Sequence, residues 1–322
     1  MPTPEFIQLD TLDDQPLAIE AAAGLLATPA VASPKFFYDT LGSRLFEAIT
    51  ELREYTPTRS EASIFAVHGA AIGRAALQFT GAAPLLLDLG AGNCAKAARM
   101  FPLIEPQAYV AVDISVEFLR DSLRRLQREH PRIRMTGLGQ DFSARLTLPA
   151  GLLGAPTLVF YPGSSIGNFD PGAALRLLRE MRLVAERGAL LIGVDLVKSS
   201  DALEAAYDDA LGVTAAFNLN LLLRLNTLLG ADFNVRQWRH RAVFDGPLSR
   251  IEMHLVSTLD QRVRIGEDEF AFRRGESIHT ENSYKWTPRA FEALLHEAGF
   301  GAVQRWTDEA EGFAVFLAAG AN

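Results

Sequence analysis

The sequence predicts an α/β fold: a parallel sheet covered by helices on both faces, with a second substructure inserted late in the chain. Three observations carry this. Short apolar runs of strand length alternate with amphipathic helical stretches through the middle of the chain. The first of these runs ends in a glycine loop that opens the next helical stretch. The alternation stops near Lys198, beyond which a helix rich in Ala, Leu and Asn gives way to strand-like segments.

Residues 1–60 read as irregular structure and short helices. Thr56-Pro57-Thr58 has the form of a helix start, with proline in the first turn, and helical periodicity continues to about residue 77. Strands are expected at 84–89, 109–113, 132–137, 157–161 and 189–195, with an amphipathic helix over 116–129. Residues 201–229 read as helix, and 242–244, 250–259 and 262–272 as an antiparallel meander. A helix over 288–298, ended by Gly299, and strands at 301–306 and 313–318 close the chain.

Composition narrows the function classes. The chain has 322 residues, 48% hydrophobic and 22% charged, enough for one large domain or two modest ones. A net charge of −8 repels phosphate backbones, so no nucleic-acid partner is expected. Arg120, Arg124, Arg125 and Arg128 lie among acids at helical spacing and read as a solvated helix face. The single cysteine, Cys94, excludes an internal disulfide and reads as a packing residue. Residues 1–14 have neither a basic start nor an apolar run, and no apolar stretch has the length of a membrane span. A cytoplasmic monomer without membrane contact is expected. The six histidines show no paired ligand spacing; His240, His254 and His279 read as surface or packing residues, and no metal is expected.

The chemistry is read first from Asp88-Leu89-Gly90-Ala91-Gly92. Glycines after a strand let backbone approach a ligand, and the amides of the helix start beyond them favour a negative group. Asp113 stands at the end of the next strand, where an acid grips ribose hydroxyls. A nicotinamide dinucleotide is not excluded by the glycines, since Ala95 is an allowed third residue. An acid at Asp88 is unfavourable beside a pyrophosphate, however, and suits the cationic methionine end of S-adenosylmethionine. Asp141 and Phe142, after the third strand, add a carboxylate for the adenine amino group and an aromatic wall. Together these favour the methyl donor.

Two further clusters point to a small substrate. Gly163-Ser164-Ser165-Ile166-Gly167-Asn168 comes after the fourth strand, at the sheet edge that carries the glycine loop. Asn168 has the donor and acceptor to bind an amine and a carboxylate together, although capping of the next helix is an equal reading of the local sequence. In His279-Thr280-Glu281-Asn282-Ser283, Glu281 and Ser283 alternate and so share one face of an extended segment.

These stretches together resemble the histidine N-alpha-methyltransferases of ergothioneine biosynthesis, from about Pro34 to the end. Further marks are Phe37-Tyr38-Asp39, Glu54-Tyr55-Thr56-Pro57-Thr58-Arg59, Asp195-Leu196-Val197-Lys198, Ala206-Tyr207-Asp208-Asp209, Gly212 through Asn218, and Arg250-Ile251-Glu252-Met253. The resemblance implies a Rossmann-like methyltransferase domain, 61–197 with 286–322, and a substrate-binding domain, 1–60 with 198–285. It implies that Gly90, Lys96, Asp113, Asp141 and Phe142 meet S-adenosylmethionine. It implies that Tyr55, Asn168, Tyr207, Glu281 and Ser283 meet L-histidine, with Tyr38 near the amine; Met253 and Asn282 complete the substrate-binding set. Tyr38 and Asn168 are the expected catalytic residues. Tyr38, Phe46 and Tyr55 are expected to line the space for a growing ammonium group. An enzyme for another amine such as tryptophan, or a donor-binding regulatory module without catalysis, are the alternatives.

Overall fold

A computed structural model describes residues 3–9, 14–143, 145–152, 154–265 and 268–320. The strands, in chain order, are β1 (Glu5–Gln8), β2 (Ala30–Val31), β3 (Leu85–Leu89), β4 (Ala108–Asp113), β5 (Arg134–Gly139), β6 (Thr157–Tyr161), β7 (Ala189–Asp195), β8 (Trp238–Asp245), β9 (Arg250–Ser257), β10 (Gln261–Ile265), β11 (Asp268–Phe272), β12 (Ser277–Tyr284), β13 (Phe300–Thr307) and β14 (Phe313–Gly320). They fall into two compact units, one from the described parts of 1–10, 57–197 and 285–322, the other from those of 11–56 and 198–284.

The first unit carries an eight-stranded sheet in the order β1-β5-β4-β3-β6-β7-β14-β13. The strands from β1 to β7 pair in parallel, and β14 and β13 are antiparallel additions. Strands β3, β4, β6, β7 and β14 are almost wholly buried, which is why they read as continuous apolar runs rather than alternating ones. On one face Ile64, Ile72 and Ala76 of the helix Pro57–Thr80 and Leu119 and Leu123 of the helix Val116–Glu129 pack with Leu86, Tyr109 and Phe160. On the other, Leu177, Leu178 and Met181 of the helix Pro171–Val184 and Phe291 and Leu295 of the helix Pro288–Glu297 pack with Leu87, Val110 and Val159. Chain order reverses between β3 and β6: β4 and β5 lie to one side, β6 and β7 to the other. An open parallel sheet binds its ligand outside the carboxyl ends at such a reversal. The glycine loop leaves the end of β3 and the Gly163 loop the end of β6, so both begin there.

The second unit holds a four-stranded sheet, β2-β12-β9-β8, and a two-stranded one, β10-β11. The helices Asp14–Leu26, Thr40–Thr50, Ser200–Tyr207 and Val213–Leu229 belong to it. Strand β2, from the N-terminal segment, pairs with β12 through Ala30 and Val31, so the two separated stretches share one sheet. Their core includes the stacked rings of Phe37 and Phe217, with centroids 4.6 Å apart, together with Leu221, Leu225, Met253 and Ile278.

Three expectations are corrected. Residues 5–8 are not irregular: they form β1 at the edge of the large sheet, so residues 1–60 do not all belong with the insertion. A side chain at Gly137 of β5 would lie 2.4 Å from the Phe6 ring, so the bare glycine is what lets β1 dock. The helix from Pro57 likewise belongs to the large-sheet unit. The meander splits, because β9 pairs with β8 on one side and β12 on the other, while β10 and β11 form a separate two-stranded sheet. Gly266 and Glu267, inside the strand expected at 262–272, lie outside the described residues. No described helix is long and apolar enough to cross a membrane.

Candidate active site

In the large-sheet unit the loop after β3 is hung on the end of β4: the Gly90 and Ala91 N–H groups donate to the Val112 carbonyl at 2.9 and 3.1 Å. Gly90 and Gly92 have φ of +67° and +52°, and nothing lies within 4 Å of where a Cβ would project from either. The backbone therefore presents an open surface to an adenosyl ligand, which is the fit such a donor requires. Asp113 organises this loop. Its Oδ2 accepts from Gly92 N–H and its Oδ1 from Ser115 N–H, both at 2.8 Å. Burial raises the Asp113 carboxyl above the usual range, and these N–H groups act against the rise. A carboxylate has about four acceptor positions, so these N–H groups do not exhaust it.

The helix after the loop is shorter than the sequence suggests. It spans only Ala95–Ala98, starts from Cys94 in the left-handed region, and its Ala95 N–H is taken by Asn93 Oδ1 at 3.0 Å. The Ala95 N–H is therefore taken within the loop, and only four residues of helix stand behind it. Cys94 is fully buried, and burial pushes its thiol up to about 12, which keeps it un-ionised.

Asp88 is 1% exposed, within the wholly buried strand β3. Tyr109 Oη–H donates to its Oδ2 at 2.7 Å, and its Oδ1 has no partner. Burial pushes this carboxyl up to about 7, with the Tyr109 hydrogen bond opposing the shift. A carboxyl raised from 3.8 on folding contributes stability fully below about pH 4, and that contribution is lost as pH rises to about 7. Asp88→Asn is therefore expected to flatten the pH dependence of stability by about 1 kcal/mol per pH unit between pH 4 and 7. Denaturant melts of both proteins at pH 5 and pH 7 check this; parallel losses in the two would remove the assignment.

Lys96 is not a loose surface lysine. Its Nζ pairs with Glu61 Oε2 at 2.7 Å, and Glu61 is 2% exposed. Glu61 Oε1 accepts from Gly163 N–H at 2.8 Å, which ties the helix Pro57–Thr80 to the loop after β6. The sequence alone does not single out Glu61; its one local signal is an acid in the first turns of a long helix. In the β6 loop Ser164 adopts φ +63°, and its Oγ accepts from Asp195 N–H at 2.8 Å. Asn168 ends the short turn Ser165–Asn168 and does not cap the next helix; Asp170 does, accepting from Ala173 N–H at 2.8 Å. The capping reading of Asn168 is therefore removed. Asp141 accepts from Ser143 N–H at 3.0 Å, and the half-buried Phe142 meets Tyr161 edge-on at 5.8 Å. Asp195 and Lys285 form a buried ion pair at 2.9 Å.

In the other unit Glu281 and Ser283 lie on one face of β12, both buried. Met253 of β9 is the direct cross-strand partner of Glu281. Ser283 Oγ and Tyr207 Oη are hydrogen-bonded at 2.7 Å, buried. Tyr207 meets Tyr55 edge-on at 6.2 Å, Tyr55 meets Phe46 at 6.4 Å, and Phe46 meets Tyr38 at 5.9 Å, so one aromatic chain links these four. Asn282 is separated from this set, since alternation turns its side chain to the opposite face, across from Glu252. A register shift between His279 and Glu281 marks a bulge. There Thr280 Oγ1–H donates to the Met253 carbonyl at 3.0 Å and His279 Nε2–H to the Glu281 carbonyl at 3.0 Å.

His240, expected as a surface or packing residue, and Asn218 brace Tyr207. His240 Nε2–H donates to the Tyr207 carbonyl at 2.7 Å, and its Nδ1 accepts from Asn218 Nδ2–H at 2.8 Å. Burial lowers the His240 value, so the ring stays neutral in this tautomer. A polar Asn at 0% exposure in the Val213–Leu229 helix is the signal that sequence reasoning missed. Among the described residues, Glu252, His254 and His279 place potential ligand atoms within 4.8 Å of one another. Of these groups, Glu252 pairs with Arg250 and with His254 Nε2, His279 Nε2 donates to the Glu281 carbonyl, and His254 Nδ1 is buried without a hydrogen-bond partner.

Comparison with known proteins leads to the same chemistry. Residues 17–320 match the family described as "Histidine-specific methyltransferase, SAM-dependent". The chain is 39% identical over 305 residues to the histidine N-alpha-methyltransferase of Mycobacterium tuberculosis, covering 92% of each chain. It is 37% identical to that of Mycolicibacterium smegmatis, covering 93% of each. It is 25% identical to ergothioneine biosynthesis protein 1 of Schizosaccharomyces pombe, covering 87% of this chain and 38% of that longer one. With the family matched over nearly its whole length, this chain belongs to the histidine-specific, S-adenosylmethionine-dependent methyltransferases.

Proposed function

We propose that the chain methylates the α-amino group of L-histidine three times in succession, giving N,N,N-trimethylhistidine (hercynine), the betaine of ergothioneine biosynthesis. The observation that carries the substrate reading is the buried Tyr207–Ser283 hydrogen bond beside Glu281. Glu281 is an acceptor and the Ser283 hydroxyl on the same strand face can donate, and an imidazole offers one N–H and one ring acceptor. Glu281 accepts from the imidazole N–H, and Ser283 donates to the other ring nitrogen. Tyr207 takes the amino-acid end, Met253 packs against the ring, and Tyr38 stands near the amine. Asn282, facing the other way, is left out of this set.

S-adenosylmethionine supplies an activated methyl group on a sulfonium. The residues of the chain do the placing: the Gly90–Gly92 backbone, Asp113 and Lys96 hold the nucleoside and methionine ends, and Asp141 and Phe142 take the adenine. Orientation of two bound reactants contributes on the order of 7–11 kcal/mol to such a displacement. The attacking amine must be neutral, and a neighbouring positive charge lowers its pKa. The aromatic chain of Tyr38, Phe46 and Tyr55 offers ring faces to an ammonium that grows with each methyl.

Incubation with S-adenosylmethionine and a panel of amino acids, read by mass, tests this. Mono-, di- and trimethylated histidine in sequence is the expected result. Methylation of another amine, with none on histidine, would overturn it.

A further inference from the structure

The sulfonium donor is a cation, and the thioether it leaves behind has lost that charge. A lysine at the donor site therefore disfavours the incoming ligand relative to the outgoing one. Lys96 is such a lysine if the glycine loop takes the donor, and its part in setting the charge of the site rests on that reading.

Glu61 is built in beside it from three directions. Oε2 lies 2.7 Å from Lys96 Nζ, and Oε1 accepts from Gly163 N–H at 2.8 Å. A Cβ at Gly193 would come within 2.1 Å of Oε1, so β7 is bare of side chain where the carboxylate sits. The Glu61 side chain is 3% exposed, whereas that of Lys96 is 36% exposed. A buried carboxylate is costly even when paired, and a glutamine would fill the same space and still accept from Gly163. What the glutamate supplies and a glutamine would not is the negative charge.

We infer that Glu61 is the counter-charge of the donor site: it neutralises Lys96, so that the lysine offers N–H donors to an adenosyl amino acid without repelling a sulfonium, and so sets preference for the charged donor over the uncharged thioether product. Glu61 acts through Lys96 and is a positioning residue.

The test is titration calorimetry of the full chain with S-adenosylmethionine and, separately, S-adenosylhomocysteine. Glu61→Gln is expected to weaken the sulfonium ligand about 10-fold more than the thioether. Lys96→Met removes the same ligand contact from both and leaves a carboxylate unopposed, so its preference is expected to shift the other way, toward the sulfonium. In the double variant the ratio returns to within about threefold of the parent. Thermal melts show which variants fold, and the Lys96→Met arm decides the question even if Glu61→Gln does not. Equal weakening of both ligands in Glu61→Gln, or both affinities lowered with an unshifted ratio in Lys96→Met, would overturn the inference. If Lys96→Met leaves both affinities at the parent value, it is the placement of the donor beside Lys96 that fails.

Discussion

Glu281→Gln is expected to raise the KM for histidine about 100-fold while leaving donor affinity and melting temperature close to the parent values. The carboxylate is 8% exposed, on a strand whose neighbour Ser283 is already fixed by Tyr207. A buried charge-assisted hydrogen bond contributes roughly 1.5–3 kcal/mol, and an amide turned with its NH2 toward an imidazole N–H adds an unsatisfied donor. The substitution is nearly isosteric, so packing against Met253 is kept. Steady-state kinetics with histidine and with a methylated histidine lacking the ring N–H check the assignment. The parent should lose affinity for the ring-blocked analogue, and the variant should lose little more. A KM unchanged from the parent would remove Glu281 from the imidazole.

The second large effect is expected from Asp113→Ala, with donor affinity falling on the order of 100-fold or more. Two roles are lost together. The ribose loses its acceptors, and Gly92 and Ser115 lose the carboxylate that receives their N–H groups at 2.8 Å. Each charged hydrogen bond is worth roughly 1.5–3 kcal/mol, so the loss in the bound state exceeds that of the ribose contacts alone. Asp113→Asn separates the roles: its amide keeps one oxygen for a backbone N–H but offers an NH2 group to the other. It should fall between alanine and the parent in binding measured by calorimetry. Full donor affinity in Asp113→Ala would refute the role of the β4 terminus.

The legibility of this chain in its sequence divides along one physical line. The strands of the large sheet other than β1, the glycine loop and the acid at the end of β4 are encoded in short local windows. Hydrophobic periodicity and turn chemistry are local properties, and they place these strands with boundaries shifted by one or two residues at 132–137 and 301–306. Glu281 and Ser283 are likewise visible as an alternating pair. The bulge beside them is not, because a one-residue slip against β9 is a property of the pair of strands.

Other parts of the site are assigned by the fold. Glu61 meets a Gly163 N–H 102 residues away, and His240 reaches the Tyr207 carbonyl across 33. No local pattern announces such partners, since a buried acid and a surface acid look alike in one dimension. Strand β1 is a similar case: four residues too few to show periodicity become a strand because Gly137 leaves room for Phe6. By itself, then, the sequence determined the strand–loop–helix order and the side-chain chemistry of the glycine loop, Asp113 and the Glu281 strand. Tertiary structure alone decided that Lys96 is a neutralised lysine, that Asn168 is not a helix cap, and that Tyr207 is held at its hydroxyl and its carbonyl. Burial and long-range hydrogen bonding set those outcomes, and neither is written at any single position.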